Sequence, residues 1–246
     1  MGTPSPAPTP CQHQVSVSAG HGSGGGASRR GGGVWDTPTV PPRLLGCFRP
    51  ILSGGVTLAD GTYWLGPSTG RLLIKTGRAG LGRKAGHDLT IEATRWSGEA
   101  VIAAGDPNRS WVNVTVETDS LEVREATGGL KPLTDTDRAE IKRTLGDKAL
   151  LHTAAHPTIT FRSTGITGTA QSFEIDGELT IKGRTHPVTV HGKGDGDGLV
   201  RGWATVTQST WGIKPYTAFL GALRLADDVR VEFDVARLEP ANGPGC

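Results

Sequence analysis

Cysteine is scarce in this 246-residue chain, and Cys11, Cys47 and Cys246 all lie outside the stretches that show regular patterning. An odd number of cysteines, none of them in the patterned region, argues against a disulfide framework and is compatible with a reducing cytoplasm. Long apolar runs are also missing, because no stretch reaches the roughly 18 residues of a membrane-spanning helix. The N-terminus has neither a basic start nor an apolar run, so no secretion signal is expected and the predicted location is cytoplasmic.

Signatures of nucleotide and metal chemistry are absent as well. There is no P-loop, no H-E-x-x-H and no βαβ alternation that would carry a dinucleotide fingerprint. An acid–base centre on His87 and Asp88 is conceivable, but no nucleophile or cofactor accompanies it. His152 and His156 are four residues apart, yet Pro157 follows at once and the segment continues into a strand, which disfavours a metal site. We therefore expect no enzyme, no cofactor and no metal.

Glycine and proline make up a third of residues 1–60, a segment that lacks lysine and glutamate. Such a composition buries too little apolar surface to offset the entropy of ordering the backbone. The sequence therefore predicts a disordered tail over residues 1–58, one domain over 59–238 and a flexible C-terminus over 239–246. The net charge of +2 comes from residues 1–60, and basic and acidic residues are equal in number in the remainder. A neutral domain does not favour a nucleic-acid partner.

Alternation of apolar and polar residues is the dominant pattern of the remaining sequence. Residues 200–208 and 229–235 show it most clearly, and similar segments recur every 8–15 residues with Gly-rich or charged connections. A period of two is typical of strands with one buried face. One helix is predicted, beginning at Thr134 or Asp135 and ending at Gly146. The fold class is therefore all-β: an antiparallel barrel of eight or slightly more strands with one short helix, its interior lined by small aliphatic side chains.

The loop over residues 209–221 carries more apolar mass than a solvated loop needs. Pro215 excludes it from a central strand, so we expect it near the mouth of the barrel. The candidate ligand-binding residues are five from this loop, two strand residues and one histidine: Trp211, Ile213, Tyr216, Phe219, Leu220, Phe161, Val114 and His87. The alternative is that the aromatic residues only close one end of the barrel by packing.

Several segments together resemble the YceI-like family. They are Phe161-Arg162-Ser163-Thr164, the run from Gly177 to Val188 (GELTIKGRTHPV), Gln208 through Leu223, and Ala79-Gly80-Leu81 ahead of Gly86-His87-Asp88. The resemblance covers about residues 60–238. It implies a lipocalin-like barrel with an elongated apolar lumen that binds a polyisoprenoid or related apolar lipid, without catalysis. The family often has R-x-x-F-G before the final loop, whereas this chain has Gln208-Ser-Thr-Trp211-Gly212, so headgroup recognition is expected to differ.

The role of His87 is open between two interpretations. His87 beside Asp88 could hydrogen-bond a quinone oxygen or a phosphate, or it could be a structural histidine that satisfies loop backbone. His186 and His191 are predicted to lie on the surface and, five residues apart on one strand, to face opposite ways.

The main alternative function is a structural or regulatory barrel with a packed interior that recruits a protein partner. A small hydrolase or isomerase centred on His87 is a third possibility. The expected partner is an apolar lipid, homodimer formation is left open, and no stable membrane insertion is expected.

Overall fold

The computed structural model describes residues 60–103, 105–195, 199–218, 220 and 222–236. The predicted tail over residues 1–58 and the C-terminus over 239–246 lie outside these residues. The strands are β1 (Gly61–Leu65), β2 (Gly70–Lys75), β3 (Arg78–Ala79), β4 (His87–Ala93), β5 (Trp96–Ile102), β6 (Trp111–Glu117), β7 (Leu121–Gly128), β8 (Thr158–Thr169), β9 (Ser172–Ile181), β10 (Arg184–Gly194), β11 (Leu199–Thr207), β12 (Thr217–Ala218), β13 (Leu223–Leu225) and β14 (Asp228–Ala236). The helix is α1 (Asp135–Leu145), and short 3-10 turns cover Arg83–Ala85, Pro107–Arg109, Thr118–Ser120 and Gln208–Trp211.

Eleven of the strands form one antiparallel sheet in the order β1-β5-β6-β8-β9-β10-β11-β14-β2-β4-β7. The alternating segments pair as their patterns require: Val200 lies opposite Val235, and Val206 lies opposite Val229. A second sheet of three short strands has the order β12-β13-β3. The antiparallel all-β class is confirmed, with eleven strands in the large sheet where the alternation predicts eight or slightly more.

Two short connections link strands from the two ends of this strand order and make the sheet curl. Thr94 and Arg95 connect β4 to β5, and the turn Thr118–Ser120 connects β6 to β7. The amide of Thr94 donates to the carbonyl of Ser120 at 3.1 Å, and the amide of Glu117 donates to the carbonyl of Arg95 at 3.1 Å. Ser120 at this seam is fully buried, and its hydroxyl donates to the carbonyl of Glu117 at 2.7 Å. The sheet therefore forms a barrel rather than a flat layer.

Helix α1 lies beside β7. The Thr134 hydroxyl accepts from the amide of Asp137, and the Asp137 carboxylate accepts from the amide of Thr134 in return, which is a capping box. Ile141 and Leu145 pack against the buried core. The guanidinium of Arg138 donates to the carbonyl of Val123 on β7 at 2.9 Å. No helix in the described part of the chain is long and apolar enough to cross a membrane.

Candidate ligand-binding cavity

An elongated cavity of about 1040 Å³ runs through the barrel. Its wall consists mainly of inward-facing Val, Ile, Leu, Ala and Phe side chains from the strands of the curled sheet. The volume is at the upper end of the ~300–1,000 Å³ found for small-molecule pockets. The interior is therefore not filled by the side chains of the protein, in contrast to the packed barrel considered as an alternative.

Three phenylalanines line this cavity without filling it. Each ring lies against a glycine of a neighbouring strand. An added Cβ at Gly177 would lie 2.4 Å from the ring of Phe161. The corresponding distance is 2.0 Å between Gly192 and Phe173, and 2.3 Å between Gly202 and Phe233. A ring can approach the backbone so closely only where the neighbouring residue has no side chain. The glycines therefore let these rings lie along the wall.

Solvent-exposed residues line the cavity at both ends of the barrel. We call one the helix end, where α1, the turn before β4 and the loop before β12 meet, and where the exposed residues Lys131 and Tyr216 line the cavity. The other is the hairpin end, formed by the β5–β6 and β8–β9 turns, where the exposed residues Pro107 and Gln171 line it. The charged lining residues Lys131, Asp137 and Glu140 all belong to the helix end.

His87 borders the cavity at the helix end and hydrogen-bonds its surroundings. Its Nε2 lies 2.8 Å from the carbonyl oxygen of Lys131. A carbonyl only accepts, so Nε2 carries a proton and donates. Gly129 has φ +72°, and a Cβ there would lie 2.2 Å from Nε2, so glycine is required at this position both for backbone conformation and for space. The structural interpretation of His87 thus holds, and its ring is also part of the cavity wall.

His87 and Asp88 do not hydrogen-bond each other among the described contacts, because adjacent strand residues point to opposite faces. Asp88 binds Arg78 instead: its Oδ1 accepts from Nε at 3.0 Å and its Oδ2 accepts from Nη2 at 2.9 Å. The side-chain hydrogen bond from Arg78 holds the pKa of Asp88 below its usual value. Burial opposes this shift, whereas the hydrogen bond from the Arg78 amide and the charge of Arg78 add to it. Arg78 also donates to the carbonyls of Gly86 at 3.0 Å and Arg83 at 3.3 Å. It therefore fixes the loop that presents His87.

Five of the eight predicted ligand-binding residues line the cavity. These are Val114 and Phe161 on the wall, Ile213 next to the buried core, and His87 and Tyr216 at the helix end. Leu220 is fully exposed and does not border the cavity. Phe219 lies outside the residues that the structure describes. Contact of any of these residues with a ligand stays a prediction.

Trp211 is placed differently from the expected mouth position. It is 3% exposed and is not part of the cavity lining. Its Nε1 donates to the carbonyl of Leu179 at 3.0 Å, and its ring meets that of His186 edge-on, with centroids 5.2 Å apart. Trp211 therefore packs against β9 and β10 and does not border the cavity.

The remaining histidines do not form a metal site in the described part of the chain, where no three His, Cys, Asp or Glu side chains lie together. The rings of His152 and His156 are 5.7 Å apart. His191 lies on the outer wall with Glu174 at 3.1 Å. The surface prediction for His186 is wrong, because it is half-buried against Trp211.

One match to a catalytic signature has no catalytic geometry. Residues 66–70, Gly-Pro-Ser-Thr-Gly, fit the letters of G-x-S-x-G. They form a tight turn between β1 and β2, in which the amide of Thr69 donates to the carbonyl of Gly66 at 3.0 Å. A nucleophile elbow needs a strand followed by a helix, and here a second strand follows.

Two groups of cavity residues escaped the candidate set. The first is the inner face of α1 and the segment before it, with Leu133, Ile141, Thr144 and Leu145; the spacing of Ile141 and Leu145 shows an apolar face but not what it covers. The second is Trp96, which is buried and lines the cavity, and whose Nε1 has no hydrogen-bond partner in the described structure. Nothing in the sequence distinguishes this tryptophan from one that only packs.

An antiparallel barrel with a continuous apolar cavity defines the class of lipocalin-like barrels. The family model described as a YceI-like domain matches residues 75–236, and the chain belongs to this family. It is 35% identical over 94 residues to Protein YceI of Escherichia coli O157:H7, covering 37% of this chain and 42% of that protein. It is 32% identical over 104 residues to a UPF0312 protein of Azotobacter vinelandii, covering 42% and 47%.

The chain thus matches about half the length of these curated relatives or less. Among solved structures, Burkholderia cenocepacia BcnA superposes with a TM-score of 0.52 at 15% identity, covering 69% of this chain and 96% of BcnA. At that identity the likeness shows the fold alone.

Proposed function

We propose that the protein binds or transports a polyisoprenoid or similar long apolar lipid in the barrel cavity. The observation that carries this proposal is the cavity itself, which is about 1040 Å³ in volume, extends between the two ends of the barrel and is walled mainly by apolar side chains. An apolar cavity of this kind is a poor site for water, which needs polar partners. A long hydrocarbon chain matches its shape and its chemistry.

The energetics favour a carrier or a sensor over a permanent store. Each methylene transferred from water to an apolar site contributes ~0.8 kcal/mol, so one five-carbon isoprene unit contributes roughly 3–4 kcal/mol. Three or four sheltered units would give on the order of 10 kcal/mol, enough for sub-micromolar affinity from water. A membrane offers the same lipid a similar environment, so the net preference for the protein is much smaller. Exchange between the protein and a bilayer is therefore feasible.

We propose a non-catalytic role for the site. His87 uses Nε2 to hold the loop carbonyl of Lys131, and Asp88 is occupied by Arg78. Neither group is positioned beside a nucleophile in the described structure, which general acid–base chemistry on a bound substrate would require.

Native mass spectrometry of freshly purified protein, combined with solvent extraction, tests this proposal. The expected result is added apolar mass that the extract identifies as a long hydrocarbon chain. Ala204→Phe places a ring in the lumen, because Ala204 is buried on the cavity wall, and should lower the bound fraction at least about tenfold. Thr205→Phe on the outer face of the same strand is the matched control and should bind normally.

The outcome that contradicts the proposal is protein that carries no apolar mass and takes up none when incubated with isoprenoid alcohols. Equal binding by Ala204→Phe and the unmodified chain would also contradict it. Circular dichroism of both variants establishes that the fold is retained.

A further inference from the structure

The large apolar side chains that are exposed concentrate at one end of the barrel. In the described chain five such residues are exposed: Trp64, Leu81, Leu130, Tyr216 and Leu220. All except Trp64 belong to loops at the helix end. Leu81, Leu130 and Leu220 are 101%, 85% and 110% exposed. Scattered single apolar residues are ordinary on a protein surface, but several in one place indicate an interaction site.

Contacts between the loops place these residues on a common surface. The amide of Gly82, next to Leu81, donates to the carbonyl of Ala222 at 2.9 Å. Strand β3 pairs with β13, which follows the loop that carries Leu220. His87 donates to the carbonyl of Lys131, next to Leu130. Three segments far apart in sequence therefore meet around the cavity opening; we call residues 78–88, 128–134 and 214–225 the helix-end loops.

Basic residues surround the exposed leucines. The helix-end loops contain six of them: Arg78, Arg83, Lys84, Lys131, Lys214 and Arg224. Asp88, the acidic residue of these loops, is paired with Arg78, and none of the other five basic residues has an ion pair in the described structure. Helix α1 brings acidic residues to the same end: Asp137 is held by Thr134 in the capping box, and Glu140 lies 3.8 Å from Arg143.

Elsewhere on the barrel many basic residues are paired, although Arg162 and Lys193 have no ion pair in the described structure. On the outer wall, Arg71, Lys75, Arg95, Arg124, Arg201 and Arg230 all have carboxylate partners. The described residues of the β5–β6 and β8–β9 turns at the hairpin end carry no exposed large apolar side chain. Exposed leucines and unpaired basic residues therefore coincide only where the cavity opens beside α1.

We propose that the helix end docks reversibly on an anionic membrane surface. Apolar side chains flanked by Lys and Arg are the chemistry of interfacial membrane binding, in which the apolar groups enter the acyl boundary and the cations meet anionic headgroups. Leu81, Leu130 and Leu220 are the inserting residues, and Arg83, Lys84 and Arg224 contact the headgroups. Docking in this orientation places the cavity opening against the bilayer, so an apolar ligand passes between them without crossing water. This last step rests on the proposed lipid ligand, whereas docking itself does not.

Flotation of the full chain with vesicles tests the docking. We expect binding to vesicles of phosphatidylcholine with phosphatidylglycerol, weaker binding to phosphatidylcholine alone, and a loss of affinity as salt screens the charges. Leu81→Ser with Leu130→Ser should weaken binding at least about tenfold. Arg83→Glu with Lys84→Glu should weaken it at least about thirtyfold. All four side chains are exposed and outside the cavity lining, so the fold and the bound ligand should be unaffected.

Matched controls come from the barrel wall. Trp64→Ser removes an exposed apolar residue elsewhere, and Arg162→Glu with Lys193→Glu reverses two exposed charges without ion pairs in the described structure. Both should bind vesicles normally. Equal losses in the controls, or no loss in the helix-end variants, would overturn the proposal; the second result would assign binding to the arginine-containing residues 1–59.

A second copy of the chain is the competing occupant of this surface. Light scattering tests this alternative. Membrane docking would be overturned if the chain forms a dimer, if the double variant Leu81→Ser with Leu130→Ser dissociates that dimer, and if no vesicle binding is seen. Native mass spectrometry of the same samples separates this proposal from the previous one. Retained apolar ligand without vesicle binding would reject docking only, whereas vesicle binding by a barrel that never holds ligand would reject only the lipid cavity.

Discussion

Three inward-facing glycines control how much of the cavity is free for a ligand. A methyl group at Gly192 would lie 2.0 Å from Cε2 of Phe173, a distance at which the ring must move. The backbone behind Gly192 belongs to the central strand β10 and cannot retreat easily, so the ring has to rotate away from the wall. The space available to it is the cavity that it lines.

Gly192→Ala should therefore reduce the ligand bound per folded protein several-fold, and should destabilise the fold by about 1–3 kcal/mol because the core becomes overpacked. Extraction with quantitative mass spectrometry gives the ligand content, and denaturant unfolding gives the stability. The double variant Gly192→Ala with Phe173→Ala should recover ligand binding, because the displaced ring is gone. Gly165→Ala is the control, since an added methyl there meets nothing within 4 Å. Unchanged ligand content in Gly192→Ala would disprove this account of the phenylalanines.

Sequence patterns identify inward-facing residues but not what those residues face. Val114 and Phe161 are predicted from alternation and do line the cavity. Trp211 and Ile213 lie two residues apart in the same aromatic loop, yet only Ile213 borders the cavity. The difference arises from the acceptor for the Trp211 indole, a carbonyl on β9. Such a long-range partner leaves no local signal in the sequence.

At the scale of elements, long alternating strands are predictable and short or irregular ones are not. Strand β11 and strand β14 lie where the period of two places them. Strand β7 is missed because a bulge opposite Thr90 and Ile91 shifts its register, so its apolar residues do not alternate throughout. Strands β3, β12 and β13 have only two or three residues each, too few for a period to appear, and they pair with segments far away in the chain.

The small sheet at the helix end depends on Arg78. This residue pairs with Asp88 and donates to two loop carbonyls, and its guanidinium lies so close to Gly128 that an added Cβ there would clash with it. One planar, multidentate side chain thus connects β3, the turn before β4, and the end of β7. Lysine could not make these contacts simultaneously.

Asp88→Asn should lower the melting temperature at neutral pH by a few degrees. It should also make the melting temperature fall less steeply as the pH is lowered into the acidic range. The pKa of Asp88 is depressed in the folded state, chiefly by its hydrogen bond from Arg78. Its stabilising effect is therefore present above the unfolded-state pKa of about 3.9 and is lost as the pH falls through the lower folded-state pKa. Thermal unfolding between neutral and acidic pH measures both effects.

Asp234→Asn is the control for this experiment. Asp234 makes an exposed pair with Arg201 on the outer wall, and exposed pairs contribute little. If both variants lose the same stability, Arg78 and Asp88 do not organise the helix end.

For the molecule as a whole, the sequence predicts a barrel but not whether its interior is open. Closure depends on the seam around Ser120, where the β4–β5 and β6–β7 connections meet and the Ser120 hydroxyl donates to the carbonyl of Arg95 at 3.1 Å. An open interior depends on the pairing of phenylalanines with glycines across strands. Both are properties of register between segments up to dozens of residues apart, which composition and periodicity do not encode.

Because the interior is open and apolar, the stability of the folded protein should depend on bound ligand. A hollow core lacks the dispersion contacts of a packed one, and a lipid that binds only the folded state stabilises it by mass action. Protein stripped of lipid should therefore unfold at a lower temperature than the freshly purified protein, by several degrees.

Adding back isoprenoid alcohols of increasing length should raise the melting temperature stepwise, because each sheltered methylene contributes ~0.8 kcal/mol. The rise should stop at the length that fills the cavity of about 1040 Å³. Differential scanning calorimetry at fixed ligand concentration measures both the steps and the plateau. Ala204→Phe should reach its plateau at a shorter chain, because its lumen is smaller, whereas Thr205→Phe should follow the unmodified protein. If the melting temperature does not depend on the length of the isoprenoid alcohol, any bound lipid lies outside the barrel.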